Sequence, residues 1–101
     1  MLTDVYIGLG SNLNQPLKQI TTALMQIDEI DQTVLQNISS MYLSRPMGPK
    51  DQPPYINAVA RIATRLSPHQ LLAHLNRIEN EHGRSREGEH WGPRTLDLDI
   101  L

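Results

Sequence analysis

Residues 95–101 read Thr-Leu-Asp-Leu-Asp-Ile-Leu. Leu96, Leu98 and Ile100 alternate with Thr95, Asp97 and Asp99. Side chains on a strand change face at every residue, so this stretch is a strand with one apolar and one acidic face. Working back from it, residues 84–94 (RSREGEHWGPR) form a polar loop. Before that loop, Ser67-Pro68-His69-Gln70 has the order of a helix start: a serine cap, a proline at the first position and a glutamine at the third. Leu71, Leu75 and Ile78 give that helix its apolar stripe, and Gly83 can close it. Tyr55–Leu66 alternates as a strand, with Ile56, Ala58, Ala60 and Ile62 on one face and Tyr55, Asn57, Val59 and Arg61 on the other.

The first half repeats this grammar. Val5, Ile7 and Leu9 alternate with Tyr6, Gly8 and Gly10, which predicts a strand with one nearly bare face. After a turn at Ser11, Asn12 and Asn14, Pro16 opens a predicted helix over 16–28, with Leu17, Ile20, Leu24 and Ile27 on its apolar side. Thr33–Leu43 is rich in β-branched and apolar residues and is expected to be one long strand. Residues 44–54 (SRPMGPKDQPP) hold four prolines and a glycine and are expected to be loop. The order β-α-β-β-α-β predicts an α+β, ferredoxin-like domain over 1–101. In that arrangement two helices cover one face of a four-stranded antiparallel sheet and leave the other face open.

Composition narrows the function classes. The 101 residues carry a net charge of −2 with no basic tail, which argues against nucleic-acid binding. There is no cysteine, so thiolate metal sites and disulfides are excluded. The N-terminal MLTDVYIGLG is not a secretory signal, and no apolar run is long enough for a bilayer-spanning helix, so a cytoplasmic protein is expected. No Gly-x-x-x-x-Gly-Lys-Ser/Thr loop is present, and Gly8 and Gly10 do not extend into a dinucleotide fingerprint.

The chemistry-bearing residues gather near the open face. Asp97 and Asp99 are expected to project from it with Cα atoms about 6.6 Å apart. Two close carboxylates repel unless a cation joins them, and hard oxygen ligands suit Mg²⁺. By itself a D-x-D pair on an edge strand is more often a solvated face that discourages aggregation. The loop before it carries Arg84, Arg86, Arg94 and Trp91, and guanidinium forks match phosphate oxygens. Glu87 and Glu89 in the same loop make ordinary surface charge the competing account. Tyr55 can stack on a flat heterocycle and Asn57 can hydrogen-bond its edge, though a surface aromatic is the commoner case.

Three segments, YIGLGSNL (6–13), RPMGPKDQPPYINAV (45–59) and GRSREGEHWGPRTLDLDIL (83–101), resemble the 6-hydroxymethyl-7,8-dihydropterin pyrophosphokinases. The resemblance covers essentially the whole chain, and W-G-P-R-T-L-D-L-D-I is its most specific part. It implies a folate-pathway transferase that moves the pyrophosphate of ATP onto the pterin hydroxymethyl group. It implies that Asp97 and Asp99 hold two Mg²⁺ ions. Tyr55 would stack on the pterin, with Ser44, Asn57 and the backbone of Met47 on its edge. Arg84 and Arg94 would act on ATP or the transferring group, and Arg86 and Trp91 would close over the nucleotide. Asn76 and Glu79 would lie near it. Small-molecule substrates, no nucleic acid, no membrane and a monomeric state are expected. Members of that family continue beyond the strand at 95–101, so the alternative expectation is an impaired fragment or a nucleotide- or pterin-binding module.

Overall fold

The computed structural model describes residues 1–45, 54–83 and 95–101. Its elements are β1 (Thr3–Ser11), α1 (Pro16–Asp28), β2 (Thr33–Ile38), β3 (Tyr42–Ser44), β4 (Tyr55–Thr64), α2 (Pro68–Glu81) and β5 (Asp97–Ile100). All strand pairs are antiparallel, in the order β2-β4-β1-β5, with β3 also paired to β4. The fold is therefore α+β, with a mixed-length antiparallel sheet and two helices.

Among the described residues the sheet has five strands rather than the four expected, because Thr33–Leu43 is not one strand. The register against β4 slips between Leu35 and Asn37, and the ladder ends at Ile38, just before Ser39. There the Ser39 hydroxyl accepts from Val59 N–H at 2.8 Å, while Ser39 N–H donates to Val59 C=O at 2.8 Å. A side-chain oxygen has taken the place of a backbone carbonyl, the local competition at which serine excels. Pairing resumes at Tyr42↔Asn57, so Ser44 lies in a strand and not in the loop expected from 44 onward. The expected β4 and β5 are also longer than the observed ones, ending at Thr64 and beginning at Asp97.

The core explains the two helices. Ile7 and Leu9 of β1, Ala58, Ala60 and Ile62 of β4, and Leu98 of β5 form one buried cluster with Ile20, Ala23, Leu24 and Ile27 of α1 and Leu71, Leu75 and Ile78 of α2. Both helices thus pack on the same face of the sheet. Leu17, expected in the α1 stripe, is half exposed; Ala23 joins Ile20, Leu24 and Ile27 on the buried side instead. Among the described residues no helix is long and apolar enough to cross a membrane.

The ends of α2 follow the sequence closely. Gln70 N–H donates to Ser67 Oγ at 3.2 Å and Ser67 N–H donates to Gln70 Oε1 at 2.9 Å, a reciprocal capping box. Gly83 ends the helix with φ of +82°, where a side chain would be strained. Replacing Ser67 by alanine removes one cap bond, and we expect a loss of about 1 kcal/mol in urea unfolding. An unchanged midpoint would show the cap to be redundant.

His82, just past α2, ties the helices together. Its Nδ1 lies 2.5 Å from Gln19 Oε1 and its Nε2 2.6 Å from Gln26 Oε1, both on α1. An open polar cleft of about 700 Å³ lies beside it, bordered by Lys18, Gln26 and Glu81. Partial burial holds the His82 pKa below its usual 6.5, with Glu81 opposing the shift. The folded chain therefore binds fewer protons here than the unfolded chain. Stability from this group is present above pH 6.5 and lost as pH falls below it. We expect the thermal midpoint to drop between pH 7.5 and 5.5, and His82→Gln to flatten that part of the slope. A variant with the full wild-type slope would assign it to other groups.

Candidate active site

The open face of the sheet is organised in rows set by strand register. Gly10 pairs with Asn57 on one side and Asp97 on the other, and Asn57 pairs with Tyr42. One row therefore runs Tyr42–Asn57–Gly10–Asp97. The next runs Val59–Gly8–Asp99. Leu96 and Leu98 are buried on the helix side, so Asp97 and Asp99 share the opposite face, as the alternation predicts. Asp99 is exposed and Asp97 half-buried. With strands about 4.8 Å apart, Asn57 and Asp97 flank a trough about 10 Å wide whose floor is Gly10.

Gly10 is needed there. A Cβ on it would lie 3.2 Å from Asn57 Oδ1 and 3.6 Å from the Tyr55 ring. The bare backbone lets both side chains lean over β1. Asn57 is also oriented: its Nδ2 donates to Ser44 Oγ at 2.7 Å and lies 3.4 Å from Tyr55 C=O. With the amide nitrogen directed at β3 and β4, Oδ1 is left over the Gly10 floor as an acceptor. Ser44, Tyr55 and Asn57 are thus brought together on one side of the trough, and Asp97 and Asp99 on the other.

The α2 residues separate. Asn76 is exposed, whereas Glu79 is buried with 4% of its surface accessible. Glu79 Oε2 accepts the Leu98 N–H at 2.9 Å. Met47, Arg84, Arg86, Trp91 and Arg94 lie outside the described residues. Among the described residues no group of three or more His, Cys, Asp or Glu side chains is placed to hold a metal by itself. A two-carboxylate set open to solvent nevertheless fits a hard cation that completes its shell with water and phosphate.

The sequence reading missed Ser11 as a structural partner of the site. It is fully buried, and its Oγ donates to Thr95 C=O, two residues before Asp97. The only signal was its position directly after the Gly8/Gly10 strand, where it was read as part of a turn.

Comparison with known proteins decides the family. The family model for 7,8-dihydro-6-hydroxymethylpterin-pyrophosphokinase matches residues 6–101. This chain belongs to that family. A relative from Haemophilus influenzae, named 2-amino-4-hydroxy-6-hydroxymethyldihydropteridine pyrophosphokinase, is 58% identical over 100 residues, covering 99% of this chain and 62% of the relative. A protein of the same name from Pseudomonas aeruginosa is 50% identical over 101 residues, again over 62% of its length. A folate synthesis bifunctional protein from Arabidopsis thaliana is 41% identical over 98 residues, 20% of its length. The pyrophosphokinase-family match thus takes in every strand that forms the trough except the first three residues of β1. The chain spans about 62% of the length of the two bacterial relatives.

Proposed function

We propose that this chain carries the pterin and metal half of a pyrophosphokinase site and transfers pyrophosphate from ATP to 6-hydroxymethyl-7,8-dihydropterin, releasing AMP, in folate synthesis. The observation that carries this reading is the row Asn57–Gly10–Asp97, with Tyr55 and Ser44 at one end and Asp99 one step along β5. Family membership supplies the substrates. Tyr55 offers a ring to stack on the flat pterin, and Asn57 Oδ1, held by Ser44, accepts from its edge N–H groups. Asp97 and Asp99 would hold two Mg²⁺ ions. Metal held there would supply charge neutralisation at the phosphates and a lowered pKa for the attacking hydroxyl. Arg84 and Arg94 would face the transferring group, Arg86 and Trp91 the nucleotide, and the Met47 backbone the pterin. Asn76 would lie near the nucleotide. In this reading the framework is ferredoxin-like, with β2 and β3 as two halves of one interrupted strand, and the protein works as a cytoplasmic monomer.

The test is AMP release from ATP, Mg²⁺ and the pterin, together with calorimetric titration of pterin in the presence of a non-hydrolysable ATP analogue. Pterin-dependent AMP establishes the transfer. Binding without AMP favours the second reading, a pterin- and nucleotide-binding module, to which the 62% coverage of the relatives points. A folded chain that does neither overturns both.

Gly10→Ala offers a finer check. Its methyl crowds Asn57 and Tyr55, and overpacking of this size is worth about 1–3 kcal/mol. We expect pterin affinity to fall by about tenfold or more by calorimetry. Wild-type affinity in the variant would remove Gly10 from the site.

A further inference from the structure

We propose that Glu79 is a positioning residue for the aspartate-bearing strand: its buried carboxylate holds the backbone of β5 at Leu98, between Asp97 and Asp99, and so sets the spacing and aim of the two metal-binding side chains. This rests on the functional reading above. It departs from the expectation that Glu79 serves the nucleotide directly.

The backbone pattern carries the inference. β5 is an edge strand of the described sheet and pairs only with β1. Hydrogen-bonded and non-bonded pairs alternate along an antiparallel ladder. Leu101 N–H donates to Tyr6 C=O at 2.9 Å, which marks Leu101, Asp99 and Asp97 as the residues that bond to β1. Leu98, opposite Leu9, therefore turns its N–H outward, where Glu79 Oε2 meets it at 2.9 Å. Three consecutive amides of the Asp-Leu-Asp stretch are then anchored, the outer two by β1 and the middle one by α2. Ser11 Oγ, bonded to Thr95 C=O, holds the approach to the strand.

The choice of residue is informative. A carboxylate with only 4% of its residue's surface accessible, on the helix that supplies Leu71, Leu75 and Ile78 to the core, is costly unless its oxygens are bonded. An apolar side chain would serve core packing at least as well, but it could not hold an edge N–H. A side-chain oxygen at this reach accepts the backbone N–H in a short, directional bond, the property needed to fix a strand that must bring two like charges to one point. Residues that orient metal ligands without touching the ion commonly change metal affinity by 10–100-fold when removed.

The test compares wild type with Glu79→Gln, Glu79→Asp and Glu79→Ala, each checked for folding by circular dichroism. Two readouts are used. One is hydrogen exchange of the Leu98 amide by NMR in metal-free protein. The other is Mn²⁺ binding by electron paramagnetic resonance with a non-hydrolysable ATP analogue. Glu79→Gln keeps an acceptor oxygen at full reach and should resemble wild type in both. Glu79→Asp keeps the charge but falls short of Leu98. It should exchange that amide at least about tenfold faster and bind Mn²⁺ about tenfold or more weakly, as should Glu79→Ala if it folds. Two patterns overturn the proposal: Glu79→Asp with a protected Leu98 amide, or with wild-type Mn²⁺ affinity. Weak Mn²⁺ binding by Glu79→Gln alongside normal binding by Glu79→Asp overturns it too, by assigning a role to charge rather than reach. Wild type that binds no Mn²⁺ refutes the functional reading and the metal part of this one; the exchange data then decide the strand-holding part by themselves.

Discussion

Asp97→Asn and Asp99→Asn should each lower kcat/KM for the proposed pyrophosphate transfer by about a thousandfold, because a metal-held phosphate contributes several kcal/mol to the transition state and each 1.4 kcal/mol is tenfold. Asparagine keeps the size and one acceptor oxygen but removes the charge that attracts the cation. The two side chains lie on one face of a four-residue strand with Leu98 buried between them, so neither amide disturbs the core. Metal-free Asp99→Asn, at the exposed member of the pair, should unfold at or slightly above the wild-type temperature, since the substitution relieves a like-charge repulsion. This pairing of a large loss in rate with no loss in stability is the signature to look for. Mn²⁺ binding measured with a nucleotide analogue should fall in parallel. A variant that keeps near-normal turnover at saturating Mg²⁺ would mean that the D-x-D pair is only the solvated edge that its composition alone would suggest.

The second large effect concerns folding. Leu75 on α2 is fully buried and sits in the cluster that joins both helices to β1, β4 and β5. Leu75→Ala removes most of a side chain and leaves a cavity that a sheet-backed helix cannot close, at a cost of about 3–5 kcal/mol. A chain of this length has only about 5–15 kcal/mol of stability to lose. The thermal midpoint should fall by roughly 12–40 °C, or the variant should be partly unfolded at room temperature. A loss under about 1 kcal/mol in denaturant titration would mean that the helix layer repacks, which the contact between α2 and β5 argues against.

Much of this was legible from residue types. Ser67, Gln70 and Gly83 carry their own local geometry, and both ends of α2 lie where those residues put them. Alternation in Tyr55–Ile62 and Leu96–Asp99 correctly divides core from open face, because a one-residue slip would bury Asp97. Other features depend on distant partners and were hidden. The break after Ile38 exists because Ser39 finds Val59, twenty residues away. Leu17 has the right spacing for the α1 stripe, but spacing does not say which turn of a helix stays exposed. Glu79 was identified as a site residue for its family position, yet its side chain turns inward to Leu98. The proximity of Tyr55 and Asn57 to Gly10 required the register of β1 and β4, which periodicity leaves open.

The position of β1 between β4 and β5 has a consequence for synthesis. A ribosome has made both described helices and four of the five described strands before it reaches Asp97. Up to that moment β1, with Ile7 and Leu9 on it, has one unpaired rim, the kind of surface that recruits other chains. The codons for residues 97–100 therefore cover that rim of β1 as well as supplying the acidic pair. A nascent chain stalled short of them would be prone to sticking before it could bind anything.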